Sequence, residues 1–138
     1  PYDDGNIFAK IIRGDIPCEK VYEDDAVIAF MDVMPQAEGH VLVVAKKPSR
    51  NLLDAADDVL GPLFAVVRRL ARAAKSAFNA DGVMIMQFNE KAAGQSVFHL
   101  HVHVIPRKMG TALKPSGGRV EDRAVLAAHA AAIRSALD

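Results

Sequence analysis

The chain alternates most strictly between Phe98 and Val104, where Phe98, Leu100, Val102 and Val104 are apolar and His99, His101 and His103 stand between them. A period of two is that of a β-strand, so the three imidazoles share one face and the apolar set the other. This strand is predicted over Val97–Ile105, ended by Pro106, which has no N–H for a central ladder. Val21–Glu23 and Val27–Met31 are β-rich runs on either side of Asp24-Asp25 and read as a hairpin. His40–Ala45 is too apolar to be one-sided and is predicted to run through the middle of the sheet. Val83–Phe88 gives the remaining strand.

Helical spacing appears in three places. Ile7, Phe8, Ile11 and Ile12 fall on one face of a short helix over Asn6–Arg13, stopped by Gly14-Asp15 and Pro17. Leu60, Leu63, Phe64, Val67, Leu70, Ala71, Ala74 and Phe78 follow the i, i+3, i+4, i+7 rule of a long packing helix. Asp57 and Asp58 offer its N-cap, and Pro62 is close enough to the start to be tolerated. Arg68, Arg69, Arg72 and Lys75 lie mostly on the opposite face and read as solvated surface rather than a phosphate site. Val120–Leu137 is a terminal Ala-rich helix, reached through a Gly- and Pro-punctuated loop over Lys108–Gly118. With polar loops at Met34–Gly39 and Asn89–Gln95, the connections are hairpin-like, and the fold class is α+β on an antiparallel five-stranded sheet.

Composition narrows the function classes. A chain of 138 residues, 51% hydrophobic and 25% charged, fits one domain with a real core. Seventeen basic and seventeen acidic residues cancel, which removes the general field that draws in nucleic acid or anionic membrane. The longest apolar runs, such as Val41–Ala45, are far shorter than the ~18–20 residues that span a bilayer, and Pro1–Gly5 lacks a secretory-signal pattern. The single cysteine, Cys18, makes neither an internal disulfide nor a multi-thiolate metal site, and the expected compartment is the reducing cytoplasm.

Burying three unpaired imidazoles is costly, and a plain surface strand seldom places His three times on one face. Two chemical readings remain. Adjacent histidines of the set lie about 6.6 Å apart and the outer two about 13 Å apart, so one metal ion takes two of them and draws a third ligand from elsewhere, with His40 or a carboxylate the main candidates. Alternatively a neutral imidazole, whose ordinary pKa is ~6.5, attacks an electrophile while its neighbours hold the tautomer and handle protons. Phosphorus suits that attack, because Asn89, Gln95 and Ser96 before the strand can donate to non-bridging oxygens and Gly94 lets the backbone come close.

The run Gly94-Gln-Ser-Val-Phe-His99-Leu-His101-Val-His103-Val-Ile105 resembles the signature of the histidine-triad (HIT) family. Ile7–Pro17, Val21–Asp25, Ala29–Asp32 and Gly39-His40 resemble the start of the same family, so the likeness spans about Asn6 to Arg107. It implies a HIT-like fold and a hydrolase that cleaves at the α-phosphate of purine, usually adenine, nucleotides through a nucleotidyl-histidine intermediate. Nucleoside phosphoramidates are the first substrate class, dinucleoside polyphosphates the second; a nucleotide-binding or interaction module with little catalysis is the alternative outside enzymes. The resemblance also implies a homodimer and no cofactor.

Carried onto this sequence, the resemblance makes His101 the nucleophile. His103 contacts the phosphate and assists the leaving group, through Ser96, while His99 and His40 set orientation and protonation. Asp32 corresponds to the acidic residue that binds the ribose hydroxyls, and Ile7, Phe8, Ile11, Phe30 and Val33 to the base pocket. Asn89, Gln95 and Ser96 match the phosphate-contacting loop. Some relatives hold structural zinc at positions matching Asn6, Ala9 and Pro48 together with His99; with only the histidine kept, zinc is not expected. One domain, residues 1–138, is expected, with its family core over about 6–107. The loop and helix 108–138 differ from the phosphoramidase branch and can shape the leaving-group side. His129 is expected to be packed or exposed rather than catalytic, and Cys18 a bystander.

Overall fold

In the computed structural model, which describes residues Pro1–Asp138, five strands form one antiparallel sheet. They are β1 (Lys20–Glu23), β2 (Val27–Met31), β3 (Val41–Ala45), β4 (Gly82–Met86) and β5 (His101–Arg107), in the spatial order β1-β2-β3-β5-β4. The helices are α1 (Ile7–Ile12), α2 (Asp57–Ala77) and α3 (Arg123–Ala136). β3 is central, and every residue of β2 and β3 is buried because both faces of the sheet are covered. Val27, Ala29, Met31, Val41, Val43 and Ala45 join Leu100, Val102 and Val104 in the core beneath α2 and α3. Ile28, Phe30, Leu42 and Val44 face the other way and pack with Phe8 of α1. Because Val44 pairs with His101 and Leu42 with His103, those two imidazoles emerge on the α1 side.

Several predicted boundaries move. β5 starts at His101, not Val97, since Val97 and Leu100 bond outside the strand ladder: the Val97 carbonyl accepts from the Gln95 side chain, and Leu100 N–H donates to the Ser49 carbonyl. Nor does Pro106 end the strand. Arg107 offers its carbonyl to Asp81 N–H on the β4 side, so Pro106, one residue earlier, turns its nitrogen toward the β3 side. There the pairing has already finished at Val41 with Val104, and no donor is missed.

The cap of α2 is Ala56, extended and without a side-chain bond, so Asp57 and Asp58 are first-turn residues that complement the helix dipole instead. Val66 and Ala73 join the buried face of α2, and Phe64 leaves it, 41% exposed, because the helix packs on α3 as well as on the sheet. β4 and α3 are each shorter than their apolar patterns. No helix is long and apolar enough to cross a membrane.

The segment between β2 and β3, residues 32–40, is held from two sides. Gly39 takes φ +84 with its α-carbon hard against Phe78, so that a β-carbon there would stand 2.4 Å from the ring. The tail docks on the same segment, with Lys114 N–H bonded to the Gln36 carbonyl and Glu121 N–H to that of Val33.

Candidate active site

Between α1 and the sheet lies a cavity of about 380 Å³. Ile7, Phe8, Ile11, Phe30 and Val33 form its apolar wall, and Asp32, His40, Ser96, His101 and His103 its polar end. Those predicted residues therefore meet at one place. His99, Asn89 and Gln95 do not line it. The Gln95 amide is buried, donating to the carbonyls of Arg50 and Val97 and accepting from Asn51 and from Glu90 N–H. Asn89 is engaged with Gln87 and with Leu52 N–H. Both side chains brace the loop before the histidines: Gln95 is buried with its amide wholly engaged by protein groups, which corrects the expectation that it donates to phosphate, whereas half-buried Asn89 keeps a second amide hydrogen beyond its bond to Gln87. Glu90 sits in this loop at φ 77 and is clasped by both Arg50 and Asn51.

Each imidazole is oriented by a partner whose role is unambiguous. His101 has Nδ1 2.6 Å from the His99 carbonyl, an obligate acceptor, so Nδ1 carries the proton and Nε2 is left with a bare lone pair. Phe8 packs edge-on to this ring at 4.8 Å between centroids. Gln36 N–H donates to His40 Nδ1 at 3.0 Å, which puts the His40 proton on Nε2. From there it is donated to His103 Nδ1 at 2.9 Å, so His103 presents an N–H at Nε2. A bare imidazole nitrogen thus stands beside a proton-bearing one, with the two ring centroids 5.1 Å apart.

Burial keeps the set neutral. Desolvation lowers His101 and His103 to about 4 and His40 to about 3, each aided by neighbouring imidazoles, and His99 is lowered by burial too. Asp32 is raised by burial, although Met34 N–H bonded to its carboxylate works the other way.

Two donor sets bear on metal binding. Asp32, His40 and His103 bring ligand atoms within 4.8 Å of one another. The nitrogen of His40 that faces this cluster carries the proton, because its other nitrogen accepts from backbone, so an ion there would have to break the Gln36 contact. Around His99, Asn6, Ala9 and Pro48 supply no thiolate or imidazole, and both His99 nitrogens are already engaged. The set around His99 lacks the ligands for a metal ion, and the set at Asp32 would hold one only at the cost of the Gln36 contact.

Four contributors escape the sequence pattern. Tyr2 bonds His99 at 2.5 Å across 97 residues. Gln36 acts through its backbone, and Cys18 and the turn at Ser116-Gly117 line the cavity. No periodicity marks any of them. Cys18 is half-buried, and burial raises its thiol. His129 lies away from this site, edge-on to Phe78.

A five-stranded antiparallel sheet that presents oriented histidines from its central strands to an apolar cavity defines the histidine-triad class. Residues 13–110 match the HIT domain model, and the chain belongs to the HIT domain family. A HIT-like protein involved in cell-cycle regulation from Bartonella henselae, crystallised with an unknown ligand, superposes with a TM-score of 0.94 at 53% identity, covering 99% of this chain and 100% of that one. The hit protein of Bacillus subtilis is 45% identical over 101 residues, 73% of this chain and 70% of its own. The Arabidopsis thaliana adenylylsulfatase HINT3 is 37% identical over 102 residues, 74% of this chain and 52% of the plant protein, so the family includes hydrolases.

Proposed function

We propose that the protein hydrolyses purine nucleotides at the α-phosphate, with His101 as the nucleophile. The observation that carries this reading is the bare Nε2 of a buried, neutral His101 facing a cavity whose far wall is apolar. The base packs between Ile7, Phe8, Ile11, Phe30 and Val33, and the ribose hydroxyls donate to Asp32. The α-phosphate then lies against His101, and the Nε2–H of His103, with Ser96, donates to its oxygens. Attack forms the P–N bond as the bond to the leaving group breaks, and the electron pair departs with that group. The His101 ring becomes a cation, which the His99 carbonyl stabilises through Nδ1–H. Water then attacks phosphorus and releases a proton to solvent, the P–N bond breaks with its electron pair returning to His101 Nε2, and the mononucleotide leaves.

The test is mass spectrometry of samples quenched and digested at alkaline pH, where the P–N bond survives, during turnover of adenylyl sulfate, diadenosine polyphosphates and adenosine phosphoramidate. An adenylyl adduct on the peptide bearing His101 is expected, and His101→Ala removes both adduct and turnover. Unchanged turnover in His101→Ala overturns the assignment.

We further propose a homodimer through β4. This edge strand, Gly-Val-Met-Ile-Met, carries no charge or proline to guard its free backbone, and Ile85 is 43% exposed. Sedimentation equilibrium is expected to give a dimer that Ile85→Lys converts to monomer; a monomeric native protein refutes it.

A further inference from the structure

Tyr2 and Asn6 lie outside the residues that match the family model, and neither lines the cavity. They nevertheless form a directed chain of hydrogen bonds to His101. Ala9 N–H donates to Asn6 Oδ1, the cap of α1, which fixes which way the Asn6 amide faces. The amide nitrogen then donates to the Tyr2 hydroxyl at 3.0 Å and to the Asp3 carbonyl at 2.8 Å. With its oxygen accepting from Asn6, the hydroxyl directs its own hydrogen to His99 Nδ1, 2.5 Å away. His99 Nε2–H is donated to the Ala45 carbonyl at 2.6 Å, so both nitrogens of His99 are committed and its tautomer is single. Finally the His99 carbonyl receives Nδ1–H of His101.

We propose that Tyr2 and Asn6 are positioning residues for the nucleophile, holding His99 neutral and in one tautomer so that its backbone presents a fixed acceptor to His101. This rests on His101 being the nucleophile. His99 needs the extra hold because it precedes β5 and has no ladder of its own. The same short helix that supplies Ile7, Phe8 and Ile11 to the cavity wall carries the Asn6 cap, so wall and nucleophile are set from one element.

Asn6→Asp separates positioning from folding. Aspartate caps a helix as well as asparagine does, so Ala9 N–H keeps its acceptor; the exposed bond to the Asp3 carbonyl is lost with the amide, and Tyr2→Phe, which leaves both backbone bonds of Asn6 in place, is the matched control. The donor to Tyr2 becomes an acceptor, and the tyrosine hydrogen turns away from His99 toward the new carboxylate. Nitrogen-15 NMR of the imidazoles in the ligand-free protein reads the result directly. In the native protein His99 is expected to show a protonated Nε2 and a hydrogen-bonded, unprotonated Nδ1; in Asn6→Asp and in Tyr2→Phe the Nδ1 signal moves and the His99 tautomers mix. The first-order rate of His101 adenylylation is expected to fall roughly 10-fold in both variants, with KM unchanged, the mark of a displaced reacting group. Native imidazole signals and native kcat in both variants overturn the proposal. Failure of His101→Ala to affect turnover instead removes the underlying reading, while the NMR result on His99 stands separately.

Discussion

His40 Nε2 donates to His103 Nδ1 at 2.9 Å, and the other nitrogen of His40 accepts from Gln36 N–H at 3.0 Å. The relay behind His103 therefore ends on a backbone amide, which has no proton to give up. When His103 donates toward a departing group, nothing behind it replaces the proton. A site built this way suits leaving groups that depart as stable anions.

That dead end sets the order of substrates. Adenylyl sulfate and polyphosphate substrates, whose leaving groups are weak bases, are expected to exceed adenosine phosphoramidate in kcat/KM by about 100-fold or more, the usual worth of a general acid that is missing here. This reverses the substrate order suggested by family resemblance alone. A plot of log kcat/KM against leaving-group pKa checks it: a steep slope is expected, and a flat one means that the protein supplies a proton.

Stability should fall on acidification. His40, His101 and His103 have folded-state pKa values of about 3, 4 and 4, all below the ordinary 6.5. Between pH 6.5 and about 4 the unfolded chain takes up protons that the folded one refuses, so folding loses about 1.4 kcal/mol per pH unit for each histidine that stays neutral. Above pH 7 this contribution is fully present and flat. Urea denaturation from pH 8 to pH 4.5 measures it, and replacing His103 by Asn should reduce the slope.

Asp32 offers a cleaner separation of sugar recognition from chemistry. Its Oδ1 accepts from Met34 N–H, which leaves Oδ2 beside His40 at the cavity. Hydrogen bonds to a charged acceptor are worth about 1.5–3 kcal/mol each, so Asp32→Asn should lower kcat/KM for a ribonucleotide about 10- to 100-fold. A 2′-deoxy substrate already lacks one of these bonds and should lose less. Equal losses for the two sugars would mean that Asp32 acts on the imidazoles instead.

How much of this is legible in the sequence depends on the range of the cause. The sheet is legible, because alternation at Val102 and Val104 and the continuous apolar run of β3 follow from local burial. Of the cavity members, His101 and His103 are legible from the same alternation, whereas the roles of Asp32 and His40 are legible only through the family signature. The inward turn of Gln95 is not, since its partners Arg50 and Asn51 are more than forty residues away and a polar side chain looks alike whether it faces ligand or backbone. The shift of β5 to His101 has the same origin: alternation continues through Phe98 and Leu100, but Leu100 N–H finds Ser49.

Gly39 places the strongest steric demand on the site. Its φ of +84 is disfavoured for any residue with a side chain, and the alanine methyl would lie 2.4 Å from Cε2 and 2.6 Å from Cδ2 of Phe78. The ring is itself buried, packed into the core and edge-on to His129, so it has little room to retreat. Backbone strain and overpacking together put Gly39→Ala at about 2–5 kcal/mol of destabilisation. The backbone relieves the clash most readily by moving the segment that precedes His40, which carries Gln36 N–H away from His40 Nδ1. Nδ1 is then free to hold the proton, Nε2 becomes an acceptor, and His103 loses the tautomer that faces an N–H to the phosphate. The variant should therefore lose kcat beyond what its melting temperature explains. Gly39→Ala combined with Phe78→Ala tests the route: making room for the methyl should return the native His40 nitrogen-15 signals and part of kcat even while stability stays low. Recovery of neither would place the effect in the strained backbone alone.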